Sequence, residues 1–408
     1  MLIQIISFLL LGIFAGTFTG LIPGIHINLI GIFLISLSAS LLSSIPPIYF
    51  VVFVVAMAIT HTFVDFIPSV FLGCPDTDTE LSVLPGHELL KKGEGYHAVL
   101  LTCYGSILAI FTLVLIAFPS ILIISKIYNF IENLIPFFLI IISIILISLE
   151  RKKSIALGVF LLTGFLGWSV LNMEINQPLL PLLTGLFGGS MLILSIKNKI
   201  KIPKQEISEL KIINPRPIAG AFLGSLIASP ICSFLPGVGS GQAAIIGNTI
   251  SRSDQKGFLI LLGATNTLVM GFSFISLYLI SRTRTGAAVA IREIIGIPSI
   301  NILILILFVV FISGLISFFL TKNLAKLFSQ KITKINYTKI SITTLIILGI
   351  IVFLSSGLLI GEKITSGFFG LLILGISTLT GIYCIQTGVR RTNMMGCLII
   401  PTIIFYLF

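Results

Sequence analysis

Thr60, His61, Thr62 and Asp65 lie late in one long apolar run and have the side chains best suited to chemistry there. His61 and Asp65 stand four residues apart, so a helix makes them neighbours on one face. An ionisable pair at membrane depth is costly, faces a cavity and marks a proton or ion pathway. The four residues are therefore read as an ion-coupling group; the competing reading places Asp65 at a hydrated helix end. Thr265, Asn266 and Thr267 form a matching uncharged triplet in a later apolar run. Thr265 and Asn266 are assigned to cargo binding, against the alternative of ordinary hydrogen bonding between helices.

Two polar, glycine-rich breaks share the same context. One is Ile22-Pro23-Gly24-Ile25-His26-Ile27-Asn28, the other Leu235-Pro236-Gly237-Val238-Gly239-Ser240-Gly241-Gln242. Proline lacks an amide donor and clashes with the preceding helical turn, and glycine tolerates backbone angles that other residues avoid. In hydrocarbon such a break is tolerated only where protein or a water-filled cavity satisfies the freed backbone groups. A helix restarting after each break presents unpaired amides and a partial positive charge, which suit an anion. Gly24, His26, Asn28, Gly237, Ser240, Gly241 and Gln242 are accordingly expected to bind cargo. His26 also titrates near neutral pH and suits proton coupling. The alternatives are two surface turns, or glycines that only let helices approach closely.

These breaks sit in a chain of 408 residues that is 56% hydrophobic and 10% charged, with a mean hydropathy of +1.16. That composition excludes an ordinary soluble domain and predicts an all-α, polytopic helical membrane protein. Apolar runs fall at about 2–22, 27–44, 47–65, 98–124, 129–149, 154–171 and 178–196, then about 218–235, 240–251, 257–280, 299–320, 341–360, 364–384 and 393–408. Residues 1–196 form a first transmembrane repeat, 197–217 a basic cytoplasmic linker and 218–408 a second repeat. Each repeat holds about seven segments, some short enough to be broken or re-entrant helices. An odd number of crossings separates the two breaks, so the repeats should have inverted topology, as in many secondary transporters.

Net charge is +11. Lys91-Lys92, Arg151-Lys152-Lys153, the 197–217 linker, Lys322 to Lys339 and Arg390-Arg391 all fall on one side, which is assigned to the cytoplasm. Both termini are then extracytoplasmic, in the cell membrane. Arg282 and Arg284 land on the outer face against the rule, and suit anionic cargo, a binding protein or lipid headgroups. Lys322 to Lys339 reads as a basic amphipathic surface helix on anionic lipid. Asp76, Asp78 and Glu80 read as a solvated turn, because their spacing lacks the features of a calcium loop. The five cysteines show no metal spacing, and neither a metal nor a cofactor is expected. No His-Glu-x-x-His or Gly-x-Ser-x-Gly run points to an enzyme. The basic balance speaks to membrane lipid rather than nucleic acid.

Gly16-Thr17-Phe18-Thr19-Gly20-Leu21-Ile22-Pro23-Gly24 and Phe234-Leu235-Pro236-Gly237-Val238-Gly239-Ser240-Gly241 resemble the large permease subunit of the tripartite tricarboxylate transporter family. So does the stretch from Phe71-Leu72-Gly73-Cys74-Pro75 to Leu84-Pro85-Gly86-His87-Glu88-Leu89-Leu90-Lys91-Lys92-Gly93. His26 and Asn28 depart from the small residues usual after the first Pro-Gly. The resemblance implies a permease for a small organic anion such as a di- or tricarboxylate, driven by a proton or sodium gradient. It also implies a small membrane subunit and an extracytoplasmic binding protein as partners, and a homodimer is a further expected assembly. A neighbouring resemblance, to undecaprenyl phosphate translocases, makes a polyprenyl phosphate flippase the alternative.

Overall fold

A computed structural model describes residues 2–22, 45–72, 79–173, 175, 178–198, 203–208, 215–234, 240–280, 285–334, 337–358 and 364–407. Every regular element among them is helical. Seven helices there are long and apolar enough to cross a membrane, and shorter apolar helices accompany them. The chain is thus an all-α, polytopic membrane protein.

The chain forms two compact units, each drawing segments from both halves of the sequence. One comprises 1–126, 201–234 and 239–335; the other comprises 127–200, 235–238 and 336–408. The first unit contains α1 (Leu2–Leu21), α2 (Pro47–Val64), α3 (Phe66–Leu72), α4 (Val83–Lys91) and the opening part of α5 (Gly95–Ser148). The second contains the rest of α5, then α6 (Lys153–Leu171), α7 (Leu179–Leu183), a π-wound stretch at Thr184–Gly189 and α8 (Ser190–Asn198). Returning to the first unit, the chain forms α9 (Pro215–Phe234), α10 (Ser240–Ser251), α11 (Gln255–Ile280), α12 (Gly286–Ile295) and α13 (Ile300–Lys331). It ends in the second with α14 (Tyr337–Phe353), α15 (Ile364–Gln386) and α16 (Gly396–Leu407).

Two expectations change here. The apolar runs at 98–124 and 129–149 belong to one helix, α5, because the polar residues between them do not interrupt its backbone. Lys322 begins the last part of α13 rather than a separate surface helix. There Thr321, Ala325 and Ser329 are buried while Lys322 and Lys326 face outward. In the linker, residues 203–208 form no regular element and are clipped to the start of α5. Gln205 accepts from the Gly95 amide at 2.8 Å, Glu206 N–H donates to the Gly93 carbonyl at 2.7 Å, and Ser208 meets His97.

In the first unit two helices are inner. The spans through α2 and α11 are each 94% buried, against 28% for α1 and 22% for the start of α5. The inner helices accept close neighbours through small residues, as membrane helices do. A Cβ on Gly12, Gly16 or Gly20 of α1 would stand within 3 Å of Ala56, Thr60 or Val64 on α2. On the other side, Gly263 of α11 lies against the Thr102 carbonyl of α5.

Pairwise register fixes helix directions within this unit. Ser317 bonds Thr60 while Phe328 meets Phe71, so α13 runs parallel to α2 and α3. Ser106 bonds the Gly263 carbonyl while Leu113 covers Gly271, so α5 runs parallel to α11. Tyr104 meets Phe318 and Phe111 meets Phe311, so α5 and α13 are antiparallel. The inner helices α2 and α11 consequently run in opposite directions. Each also packs with a short helix from the other end of the sequence, α12 on α2 and α4 on α11.

The second unit is closed by the same kind of contact. Gly167 of α6 abuts the Cys397 carbonyl of α16, and Gly396 abuts the Phe160 carbonyl of α6. The π-wound Thr184–Gly189 stretch packs on α15, where Gly381 faces the Leu186 carbonyl. Glu150 is buried and accepts from the Asn393 amide at 3.1 Å, with the Arg390 guanidinium 3.6 Å away.

Candidate functional site

The first unit gathers its polar side chains where α2 and α11 meet. Both helices are buried on nearly every side, so each polar residue at the crossing must find a partner inside the protein. Thr60, Thr62, Thr265 and Thr267 are buried, and His61, Asp65 and Asn266 are at most 4% exposed. Thr60 donates to its own helix at Ala56, 2.8 Å away, and accepts from Ser317 of α13 at 2.9 Å. The His61 Nδ1 lies 3.1 Å from the Thr19 hydroxyl of α1.

Across the crossing, Asn266 Nδ2 donates to Asp65 Oδ2 at 2.8 Å and lies 3.4 Å from the Thr62 carbonyl. The Thr62 and Thr267 hydroxyls are 3.3 Å apart. Thr265 turns back onto its own helix, donating toward Leu261 and Leu262 at 3.0 Å. The two triplets singled out in the sequence therefore meet, with Thr265 the member that bonds within α11.

Asp65 sits at a joint rather than at a hydrated end. It separates α2 from α3, its N–H closes onto the His61 carbonyl at 3.0 Å, and its carbonyl accepts from the Ser69 hydroxyl at 2.8 Å. The joint delivers a carboxylate into protein surroundings, where water cannot screen it and hydrogen-bond donors must hold it.

A second pair of motifs appears twice. Ser69, one turn past Asp65, meets Thr79 at 2.6 Å; Ser273, two turns past Asn266, meets Thr285 at 2.7 Å. Each Thr precedes a short helix, and Thr285 caps α12 by accepting from Ala288.

Of the expected cargo-binding group, Ser240, Gly241 and Gln242 open α10 and are buried, and α10 packs on α9 and α11. Gly24, His26, Asn28 and Gly237 lie outside the described residues, as do Arg282, Arg284, Asp76 and Asp78. Thr19, Ser317, Ser69, Thr79, Ser273 and Thr285 were not singled out from sequence. Thr19 alone had a signal, its place in the Gly16-Thr17-Phe18-Thr19-Gly20 run.

The family described as the tripartite tricarboxylate transporter TctA family matches residues 6–396 of the chain. An uncharacterized protein of Methanocaldococcus jannaschii is 32% identical over 409 residues, covering 98% of each chain. No solved structure matches.

Proposed function

The chain belongs to the tripartite tricarboxylate transporter TctA family, and from that premise we propose that this membrane transporter is a secondary carrier of a small organic anion, such as a di- or tricarboxylate. A proton or sodium gradient drives it by alternating access. The observation that carries this reading is the buried crossing of two oppositely directed apolar helices, with Asp65 held by Asn266 at its centre. A carboxylate is retained in such surroundings at a free-energy cost, and that cost points to ion coupling.

In this reading Thr60, His61, Thr62 and Asp65 couple the ion. Gly24, His26, Asn28, Gly237, Ser240, Gly241, Gln242, Thr265 and Asn266 bind the cargo, whose negative charge is met by helix N-terminal amides. Residues 1–196 and 218–408 are two inverted repeats joined by the 197–217 linker. The opposed directions of α2 and α11, the exchange of α5 and α13 across them and the paired Ser–Thr contacts all support that duplication. A small membrane subunit, an extracytoplasmic binding protein and a second copy of the chain are proposed partners, and the cell membrane with both termini outside is the proposed setting.

The test is uptake of labelled citrate by the full chain in proteoliposomes under imposed proton or sodium gradients, beside translocation of a polyprenyl phosphate. Saturable, gradient-driven acid uptake is expected. Lipid translocation without acid uptake would overturn the reading in favour of a flippase.

A further inference from the structure

We propose that the second unit holds one anionic membrane phospholipid. Its hydrocarbon chain occupies the crevice between α14, α15 and the stretch leading into α8, and its phosphate sits between Lys197 and Lys339. The crevice measures about 330 Å³. Leucines of α14 and α15 and Ile193 of α8 form its walls, and Gly189 and Gly375 supply no side chain to fill it. A Cβ placed on Gly375 meets nothing within 4 Å. Of the two threonines in the lining, Thr378 turns its hydroxyl onto the Leu374 carbonyl of its own helix at 2.6 Å. The rest of the lining is apolar and suits hydrocarbon.

Position and size select the occupant. Gly375 stands at the middle of α15, a helix long and apolar enough to span the membrane, and both Gly375 and Leu379 are exposed. At that depth exposure means contact with lipid chains, so the crevice opens sideways into the bilayer. At about 30 Å³ for a group the size of a water molecule or a methylene, it takes roughly ten links of a chain. A helix, about 10 Å across with its side chains, does not enter it.

Register brings basic groups to one end of the crevice. Gly185 stands against Leu374 and Ser377, and Gly381 against Leu186 and Ser190, so α8 runs along with α15. Gly367 stands against Phe353 and Gly370 against Val352, so α14 runs against α15. Lys197, near the end of α8, and Lys339, near the start of α14, therefore lie at the same end of the unit, and both are exposed. Lys197 is about 6 Å along the axis from Ile193, and Lys339 about 9 Å from Leu345. That end also carries Arg390 and Lys152, which donates to the Thr387 carbonyl at 3.5 Å. The carboxylate there, Glu150, is buried and held by Asn393 and Arg390. The surface is thus cationic, with its carboxylate turned inward. A hydrocarbon chain gains little by leaving other lipid for the crevice, because both are apolar. Selection comes from the phosphate, at about fivefold for each lysine near the membrane surface.

The full chain, purified in detergent with equal amounts of phosphatidylglycerol and phosphatidylcholine, is read by native mass spectrometry. The wild type is expected to retain one phosphatidylglycerol in preference to phosphatidylcholine. Gly375→Leu puts a side chain into open space and favours the helix, so it is expected to insert normally and lose the lipid. Lys197→Gln with Lys339→Gln is expected to keep a lipid but lose about 25-fold in preference, while Lys153→Gln leaves the preference unchanged. Equal retention of the two lipids by the wild type, full retention by Gly375→Leu, an unchanged preference in the double variant or a lost one in Lys153→Gln would overturn the proposal. So would a photoreactive group at position 379 that crosslinks a second membrane protein in place of lipid.

Discussion

The two inner helices of the first unit, α2 and α11, are alike in burial and partners but differ in chemistry. Both are sheathed by an outer helix, crossed by a long helix from the other end of the chain and followed by a hydroxyl pair. Yet α2 bears His61 and is capped by Asp65, while at the crossing α11 offers Asn266 between two threonines. The outer helices differ as well. α1 presents Gly12, Gly16 and Gly20, and α9 presents Ser225, Ser229 and Ser233, at the same distances before Pro23 and Pro236. The difference teaches that a shared framework has been given a single charge-bearing side. One carboxylate held by a neutral amide is stable in low dielectric, whereas two facing carboxylates are not.

Putting charge on both sides should therefore do the most damage. Asn266→Asp sets a second carboxylate against Asp65 across the present 2.8 Å contact. Gradient-driven citrate uptake is expected to fall by about 100-fold, since like charges this close cannot both ionise. The exchanged pair, Asp65→Asn with Asn266→Asp, should recover part of the loss because one carboxylate again faces one amide. Near-normal uptake by Asn266→Asp alone would mean that the crossing does not carry the coupling ion.

Much of this contrast was legible in the sequence, for a simple reason: a polar triplet inside an apolar run has few excuses. Thr60 to Thr62 and Thr265 to Thr267 stood out by type, and the structure joins them. Ser317 and Ser69 did not stand out, because a lone serine in a helix usually bonds its own backbone and its neighbours depend on packing. The short helices α3, α4 and α12 fall below the length that marks a span, so periodicity missed them. The interleaving of the two units was also hidden, since contact between distant segments leaves no local trace. The Pro-Gly breaks, the strongest sequence signal, lie outside the described residues.

A middle-sized effect should separate the two outer helices. Gly16→Ser gives α1 the residue that α9 has at the same place, but its Cβ would press on the Met57 carbonyl and stand 2.8 Å from the Thr60 Cβ. Overpacking of this kind is expected to cost about 2 kcal/mol. The reverse change, Ser229→Gly, is expected to cost under about 1 kcal/mol, because it removes a small side chain and adds only helix flexibility. Unfolding of the two variants in detergent measures both. Equal losses would show that the tight seam of α1 on α2 has no special role.

The smallest effect gives the finest test. Ser317 and Ser106 occupy matching places on α13 and α5, and each reaches the inner helix of the other half. Ser317 bonds the Thr60 hydroxyl at 2.9 Å, and Ser106 bonds the Gly263 carbonyl at 3.0 Å. Hydrogen bonds between membrane helices contribute about 0.6 kcal/mol on average, so Ser317→Ala and Ser106→Ala should cost similar, small amounts of stability. Their effects on transport should differ. Loss of the Ser317 bond removes a partner of the Thr60 hydroxyl beside His61, and uptake is expected to fall about threefold, which is that same energy applied to the proposed coupling group. Loss of the Ser106 bond touches only backbone on the uncharged side, and uptake should stay near normal. If the two variants slow uptake equally, the division of labour between α2 and α11 is wrong, even where the shared framework stands.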